Sequence, residues 1–217
     1  MYPPVADAQL FLSSLCPHCP IILAAMAELV KRGGIGRLEV VNLEAHPEAG
    51  AALGVRSVPW LRLGPFTLTG ARSAAELEVW VRQTTAPEGM AWACHELLKT
   101  GDLRQVLALV AADTARLAAL LPIVANPEAS MQVGLGAGVV FEEYAGTPAL
   151  RMLIPALGAL STQDDARVRA DACHYLGLCD DAAAKLWLVL RLDDANAQVR
   201  EIAHEAMQEP ATSLAPP

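Results

Sequence analysis

The spacing of apolar residues changes once along the chain, across TTAPEG (Thr84 to Gly89), and that change constrains the fold more than any other feature. Before it, short strand-like apolar runs alternate with helical spacing. After it, only helical spacing remains. A Pro/Gly/Thr stretch at such a change reads as a linker. Two domains are therefore expected, residues 1–86 and 87–217, which a length of 217 residues accommodates.

In the first half, AQLFLSS (Ala8 to Ser14) is short and apolar enough for a buried strand. From Pro17 to Arg32, the residues Ile21, Ile22, Leu23, Met26, Leu29 and Val30 recur at helical spacing. Lys31 and Arg32 lie in the last turn, and Gly33-Gly34 follow where a left-handed cap favours glycine. RLEVVNLEA (Arg37 to Ala45) reads as a second strand, and Pro47 starts a short helix that Gly54 ends. Residues 59–64 and 66–70 form a hairpin-like pair around Gly64-Pro65. Ser73 with Glu76 three residues on has capping-box spacing before a last helix. The order is βαβαββα, a small mixed sheet covered by helices, within an α+β/α two-domain chain.

In the second half, helices are expected near residues 90–100, 102–112, 114–124, 128–144, 147–160, 164–177, 181–190 and 195–208, with Asp102, Asp164 and Asp180 as N-caps. The segments beginning at Asp164 and Asp193 resemble one another: Val168, Arg169 and Ala172 correspond to Val199, Arg200 and Ala203 at an offset of 31 residues. This all-α half resembles short HEAT-like repeats, although their usual period is roughly 40–47 residues and residues 88–145 match poorly. An irregular helical bundle is the alternative.

Composition narrows the function. Hydrophobic residues make up 53% of the chain and aromatic residues only 5%, so the core is mostly Ala, Leu and Val. A net charge of −8 with no Lys/Arg run argues against nucleic acid as a ligand. Membrane insertion is not expected, because no charge-free apolar stretch approaches a span. Without a signal-peptide pattern after Met1, a cytoplasmic location is expected. Five cysteines are an odd count for a disulfide framework, which draws attention to the closely spaced pair Cys16 and Cys19.

That pair lies in CPHC, at a strand-to-helix junction. Pro17 suits the first helical position, which would put Cys16 near the N-cap. There the unpaired amides and the helix dipole favour its thiolate, within the range of about 3.5–7.5 found for such thiols. Cys16 is then the attacking thiol. Cys19, one turn on, can resolve a mixed disulfide, and His18 adds partial positive charge that favours the reduced form. Pro20 deletes the amide that would answer the Cys16 carbonyl.

CPHC, followed about forty residues on by GVRSVPW (Gly54 to Trp60) and then by a Thr-Gly before the last helix, resembles the thioredoxin superfamily over residues 5–86, most nearly its compact glutaredoxin-like members. The resemblance implies Cys16 as nucleophile, Cys19 as resolving thiol and Pro59 as a cis-proline beside them. Val58 would offer its backbone to an extended substrate segment. The Pro17-His18 dipeptide matches the oxidising, DsbA-like branch. Many thioredoxins carry a buried carboxylate six residues before the first cysteine, where this chain has Leu10.

A half zinc site is the structural alternative for Cys16 and Cys19, but Cys173, His174 and Cys179 are poorly spaced to complete it. Cys94 and Cys173, each followed by a histidine, read as small buried thiols, with disulfide exchange between Cys16 and Cys94, Cys173 or Cys179 as the functional alternative. His46 reads as a solvated turn residue and His204 as a surface one. Trp60 fits a substrate groove or the core equally well. The glycines of GLGAG (Gly134 to Gly138) suggest close helix contact or a break.

The expected activity is that of a thiol-disulfide oxidoreductase. It would act on protein thiols or disulfides, need no metal or organic cofactor, and hold an unidentified protein partner through the helical domain. The alternative is an interaction adaptor with a redox-sensing thioredoxin-like domain.

Overall fold

The computed structural model describes residues 5–208, and the chain divides into two compact units, residues 1–93 and 94–217. The first unit holds β1 (Ala8–Leu12), α1 (Cys19–Lys31), β2 (Leu38–Asn42), α2 (Pro47–Ala52), β3 (Trp60–Leu63), β4 (Phe66–Thr69) and α3 (Ala74–Gln83). This is the expected βαβαββα order. The sheet order is β2-β1-β3-β4. β1 runs parallel to β2 and antiparallel to β3, with Phe11 opposite both Val41 and Trp60. The parallel pair requires a crossover, which α1 supplies.

The core of this unit follows from the two periods. Leu10 and Phe11 of β1, Leu61 and Leu63 of β3, and Phe66 and Leu68 of β4 are buried. By register all of these except Phe11 share one face of the sheet, the face on which Phe66 meets Trp80 of α3, and Cys19, Ile22, Met26 and Leu29 of α1 and Leu77 of α3 are buried with them; Phe11 lies on the other face with Trp60. Helix α1 stops where the glycines demand it. Gly33 has φ +72°, and the amides of Gly33 and Gly34 return to the carbonyls of Val30 and Leu29 at 2.9 and 2.8 Å. Helix α3 starts with the expected capping box: the Glu76 amide donates to Ser73 Oγ at 3.2 Å, and the Ser73 amide donates to Glu76 Oε2 at 2.7 Å.

The turn at 85–88 leads into α4 (Gly89–Lys99), and every element that follows is helical among the described residues. These are α5 (Leu103–Ala112), a 3₁₀ helix (Thr114–Leu120), α6 (Leu121–Val124), α7 (Met131–Glu143), α8 (Pro148–Arg151), α9 (Ile154–Leu160), α10 (Ala166–Leu178), α11 (Ala182–Val189) and α12 (Ala197–Gln208). Two expected helices are interrupted by proline. Pro122 has no amide for the Ala118 carbonyl, which takes an i+3 bond from Leu121 instead, so residues 114–120 wind as 3₁₀. Pro155 likewise has no amide for the Arg151 carbonyl, and the helix is divided into α8, ending at Arg151, and α9, starting at Ile154.

The aspartate caps fall one residue later than expected in two cases. Asp165, with extended backbone, accepts from the amides of Arg167 and Val168, and Asp181 accepts from Ala183. Asp180 instead occupies the turn after α10 with φ +44°. Asp102 stands at its cap position but accepts from the Gln105 side chain. Helix α7 runs unbroken through its glycines. Gly136 faces Leu98, where a Cβ would come within 2.6 Å of Leu98 Cδ2, so close contact is the reason for a glycine there.

The 31-residue offset has a physical basis in repeated loop bonding. Arg169 donates to the carbonyls of Gln163 and Asp164, and Arg200 donates to those of Asp194 and Ala195. Asp165 caps α10 and Asn196 caps α12 at equivalent positions. The two turns are locked together by Arg169, whose guanidinium makes a two-pronged contact with Asp194 at 2.9 Å on each arm. The Asp194 side chain is only 4% exposed, and Arg191 approaches it at 3.5 Å.

Hydrogen bonds from Arg169 hold the Asp194 carboxyl below its ordinary value. Its stabilisation is therefore complete above the usual aspartate value of about 3.9 and is lost as pH falls through the lower folded value. Asp194→Ala leaves Arg169 buried without its anion and is expected to cost about 3 kcal/mol, read as a lower midpoint in urea unfolding at pH 7. The difference from wild type should shrink as pH falls from 4 towards 2.

Candidate active site

The C-terminal end of β1 and the N-terminal end of β3 meet at one end of the sheet, because the two strands are antiparallel with Phe11 opposite Trp60. This brings the Ser13–Cys19 segment and the Val58-Pro59 segment to the same end. The C-terminal end of β2 also lies there, since β2 is parallel to β1. Ser14 ties the segment before the cysteines to the residues after β2. Its amide donates to Glu44 Oε1 at 3.1 Å, and its hydroxyl accepts from Asn42 Nδ2 at 3.3 Å. The peptide between Val58 and Pro59 is cis, and the Pro59 carbonyl accepts from the Gly70 amide at 3.1 Å.

Cys16 and Cys19 are joined by a disulfide, with Cα atoms 5.5 Å apart. The two residues differ in burial: Cys16 is half-buried, whereas Cys19 is 2% exposed and belongs to the buried face of α1. Helix α1 begins at Cys19, later than a helix started by Pro17. Pro20 is the reason. Without an amide at Pro20 the Cys16 carbonyl takes an i+3 bond from Cys19 at 3.4 Å, so residues 16–18 form a turn and His18 is the N-cap residue. Cys16 thus lies one turn ahead of the helix rather than at its N-cap.

Around the pair, Pro17, His18 and Pro20 are exposed. Leu15, immediately before Cys16, is 89% exposed and Ile21 is 59% exposed, so large apolar side chains flank the reachable sulfur. Val58 is half-buried and Pro59 is buried. Trp60 is 8% exposed and meets the Phe11 ring edge-on, with centroids 5.3 Å apart, which places it in the core beneath this end of the sheet. Leu10 is fully buried, so no carboxylate enters the core from that position.

Sequence reading did not find Ser14, Asn42 and Glu44, nor the exposed Leu15. The polar three carry no motif, and their roles arise only from the β1–β2 register. His46 is exposed beside Glu48, at 3.3 Å. His204 is exposed on α12.

The other three cysteines are fully buried in the helical unit. Burial pushes the thiols of Cys94 and Cys173 up to about 11 and that of Cys179 up to about 12. They are packing residues with little thiolate at neutral pH. Among the described residues, no three His, Cys, Asp or Glu side chains gather as a metal-binding set.

A small mixed sheet with a dithiol/disulfide pair between its first strand and first helix defines a thioredoxin-like domain. In agreement, residues 7–82 match the family model described as a thioredoxin domain. Among curated proteins, none matches the chain.

After mild reduction in the native state, Cys16 should alkylate first and Cys19 more slowly. Cys94, Cys173 and Cys179 should label only after denaturation, because a thiol near 11 is ionised to only about one part in a thousand at pH 8. Mass spectrometry of iodoacetamide-treated protein, counting two adducts against five, checks this.

Proposed function

We propose that the protein is a thiol-disulfide oxidoreductase acting on protein disulfides or dithiols through Cys16 and Cys19. The observation that carries this reading is the unequal burial of the two disulfide-bonded cysteines, Cys16 half-buried and Cys19 buried. In the reducing direction, the Cys16 thiolate attacks a substrate disulfide, the substrate S–S bond breaks, and the departing thiolate takes a proton. Cys19 then loses its proton and attacks Cys16 Sγ. This breaks the mixed disulfide, releases the second substrate thiol and leaves Cys16–Cys19 oxidised, with two electrons passed to the substrate. The oxidising direction is the same sequence reversed.

Cys16 lies just ahead of the positive end of the α1 dipole, and His18, the N-cap residue between them, is exposed. With Leu10 where many thioredoxins carry an acid, the proton for Cys19 passes through His18 or solvent. The Val58 backbone, beside Pro59 at the same end of the sheet, is the proposed contact for an extended substrate segment. The exposed Leu15 and Ile21 favour apolar residues next to the substrate cysteine. The chemistry requires no metal or organic cofactor.

The helical unit, with repeated turns resembling those of HEAT-like proteins, is proposed to hold the protein partner. Three buried free thiols fit a reducing compartment, and the cytoplasm is the proposed location. No helix among the described residues is long and apolar enough to cross a membrane.

The test is catalysis of insulin disulfide reduction by dithiothreitol, together with equilibration against glutathione. Wild type should accelerate reduction at least about tenfold and Cys16→Ser should abolish the effect. Cys19→Ser should accumulate a mixed disulfide at Cys16. Absence of catalysis, with Cys16 alkylating like an ordinary thiol near 8.5, would favour the adaptor with a redox-sensing domain. The glutathione equilibrium shows whether the pair rests reduced in a cytosol poised at about −220 to −320 mV.

A further inference from the structure

The helical unit carries an open groove of about 910 Å³ between α7 and α10. One wall is a row of apolar side chains at i, i+4 and i+8: Met131, Leu135 and Val139, which are 80%, 66% and 43% exposed. Beside that row run Gly134 and Gly138, whose missing side chains make the floor. The row extends about 12 Å along the helix. Apolar side chains this exposed, in line and beside a glycine trough, have the shape that receives the side-chain ridge of another helix.

The opposite wall, from α10, contains a polar group without a partner. Tyr175 is 6% exposed, with its ring stacked on Phe141 at 4.5 Å, and its hydroxyl lies over the trough, where a Cβ on Gly138 would stand 3.4 Å away. No hydrogen bond forms at that hydroxyl among the described residues, and Tyr175 lines the groove. The hydroxyl opens on the groove and is free to hydrogen-bond with whatever fills it.

Charge selects the occupant. Residues 94–217 carry nine Lys and Arg against sixteen Asp and Glu, a net −7, whereas residues 1–93 carry only −1. At the groove itself Glu142 and Asp171 supply the acid. Arg167 is occupied by the carbonyls of Asn126, Pro127 and Ala129, with Asp171 at 3.8 Å. His174 faces Glu142 at 3.6 Å. This field attracts a cationic partner and opposes a second copy of the same acidic unit.

We propose that the groove between α7 and α10 seats a basic amphipathic helix of a partner protein. Its apolar side chains pack between the Met131–Leu135–Val139 row and Tyr175, and its Lys or Arg residues face Glu142 and Asp171. This deepens the reading of the helical unit as the partner-binding part of the protein.

The experiment is fluorescence anisotropy of the full chain with a fluorescein-labelled 16-residue peptide of Leu, Ala and Lys. Its leucines are set at i, i+4, i+7 and i+11 spacing. Two controls accompany it: the same composition scrambled, and the same pattern with Glu in place of Lys. The patterned basic peptide should bind at least about tenfold more tightly than either control. Leu135→Gln, at an exposed position, and Gly138→Leu, which fills the trough, should each weaken binding by a similar factor, with circular dichroism confirming the fold. Equal binding of the scrambled peptide, binding unchanged in both variants, or no saturable binding would overturn the proposal. So would concentration-dependent dimerisation that Leu135→Gln abolishes, since the occupant would then be a second copy. The peptide is read without redox reagents and the insulin assay contains no peptide, so failure of one leaves the other standing.

Discussion

Burial of Cys19 against the sheet is the constraint on which the redox site depends. β1 is pinned between β2 and β3, and its penultimate residue, Phe11, is buried, so the chain leaves the core at a fixed point. The inner face of α1, from Cys19 through Ile22 and Met26 to Leu29, then packs back onto that sheet. Between these anchors only a short turn is free, and it carries Cys16 outward. Two thiols three residues apart become different reagents because one helix face is apolar and the preceding turn is not.

The helical unit is organised by its loops as much as by its core. In successive turns an arginine on the following helix gathers the carbonyls of its own entry loop, while an Asp or Asn caps that helix. Arg169 also reaches the next turn and binds Asp194. Each turn is thereby satisfied internally, and consecutive turns are held in register by a single buried ion pair. Small residues allow the helices themselves to come close, as Gly136 does against Leu98.

Much of this was legible in the sequence because it is local. The βαβαββα order, the Gly33 stop, the Ser73–Glu76 box and the succession of helices after residue 89 all follow from short-range spacing and the chemistry of single residues. What was illegible depends on competition or on distance. In each Asp-Asp pair either residue can cap, and backbone geometry chose Asp165 and Asp181. Pro17 and Pro20 both suit a first turn, and the missing amide of Pro20 moved the helix start to Cys19. Trp60 fitted the groove and the core equally well until its partner Phe11 was known. The tether from Ser14 to Asn42 and Glu44 spans roughly thirty residues of sequence and has no pattern to announce it.

The missing amide of Pro20 also governs how force travels through the site. Cys16 is held by the turn bonds Cys16 to Ser13 at 3.3 Å and Cys19 to Cys16 at 3.4 Å, outside the hydrogen-bond ladder of α1. A displacement of Cys16 would therefore strain those two long bonds before it reached the helix that carries Cys19.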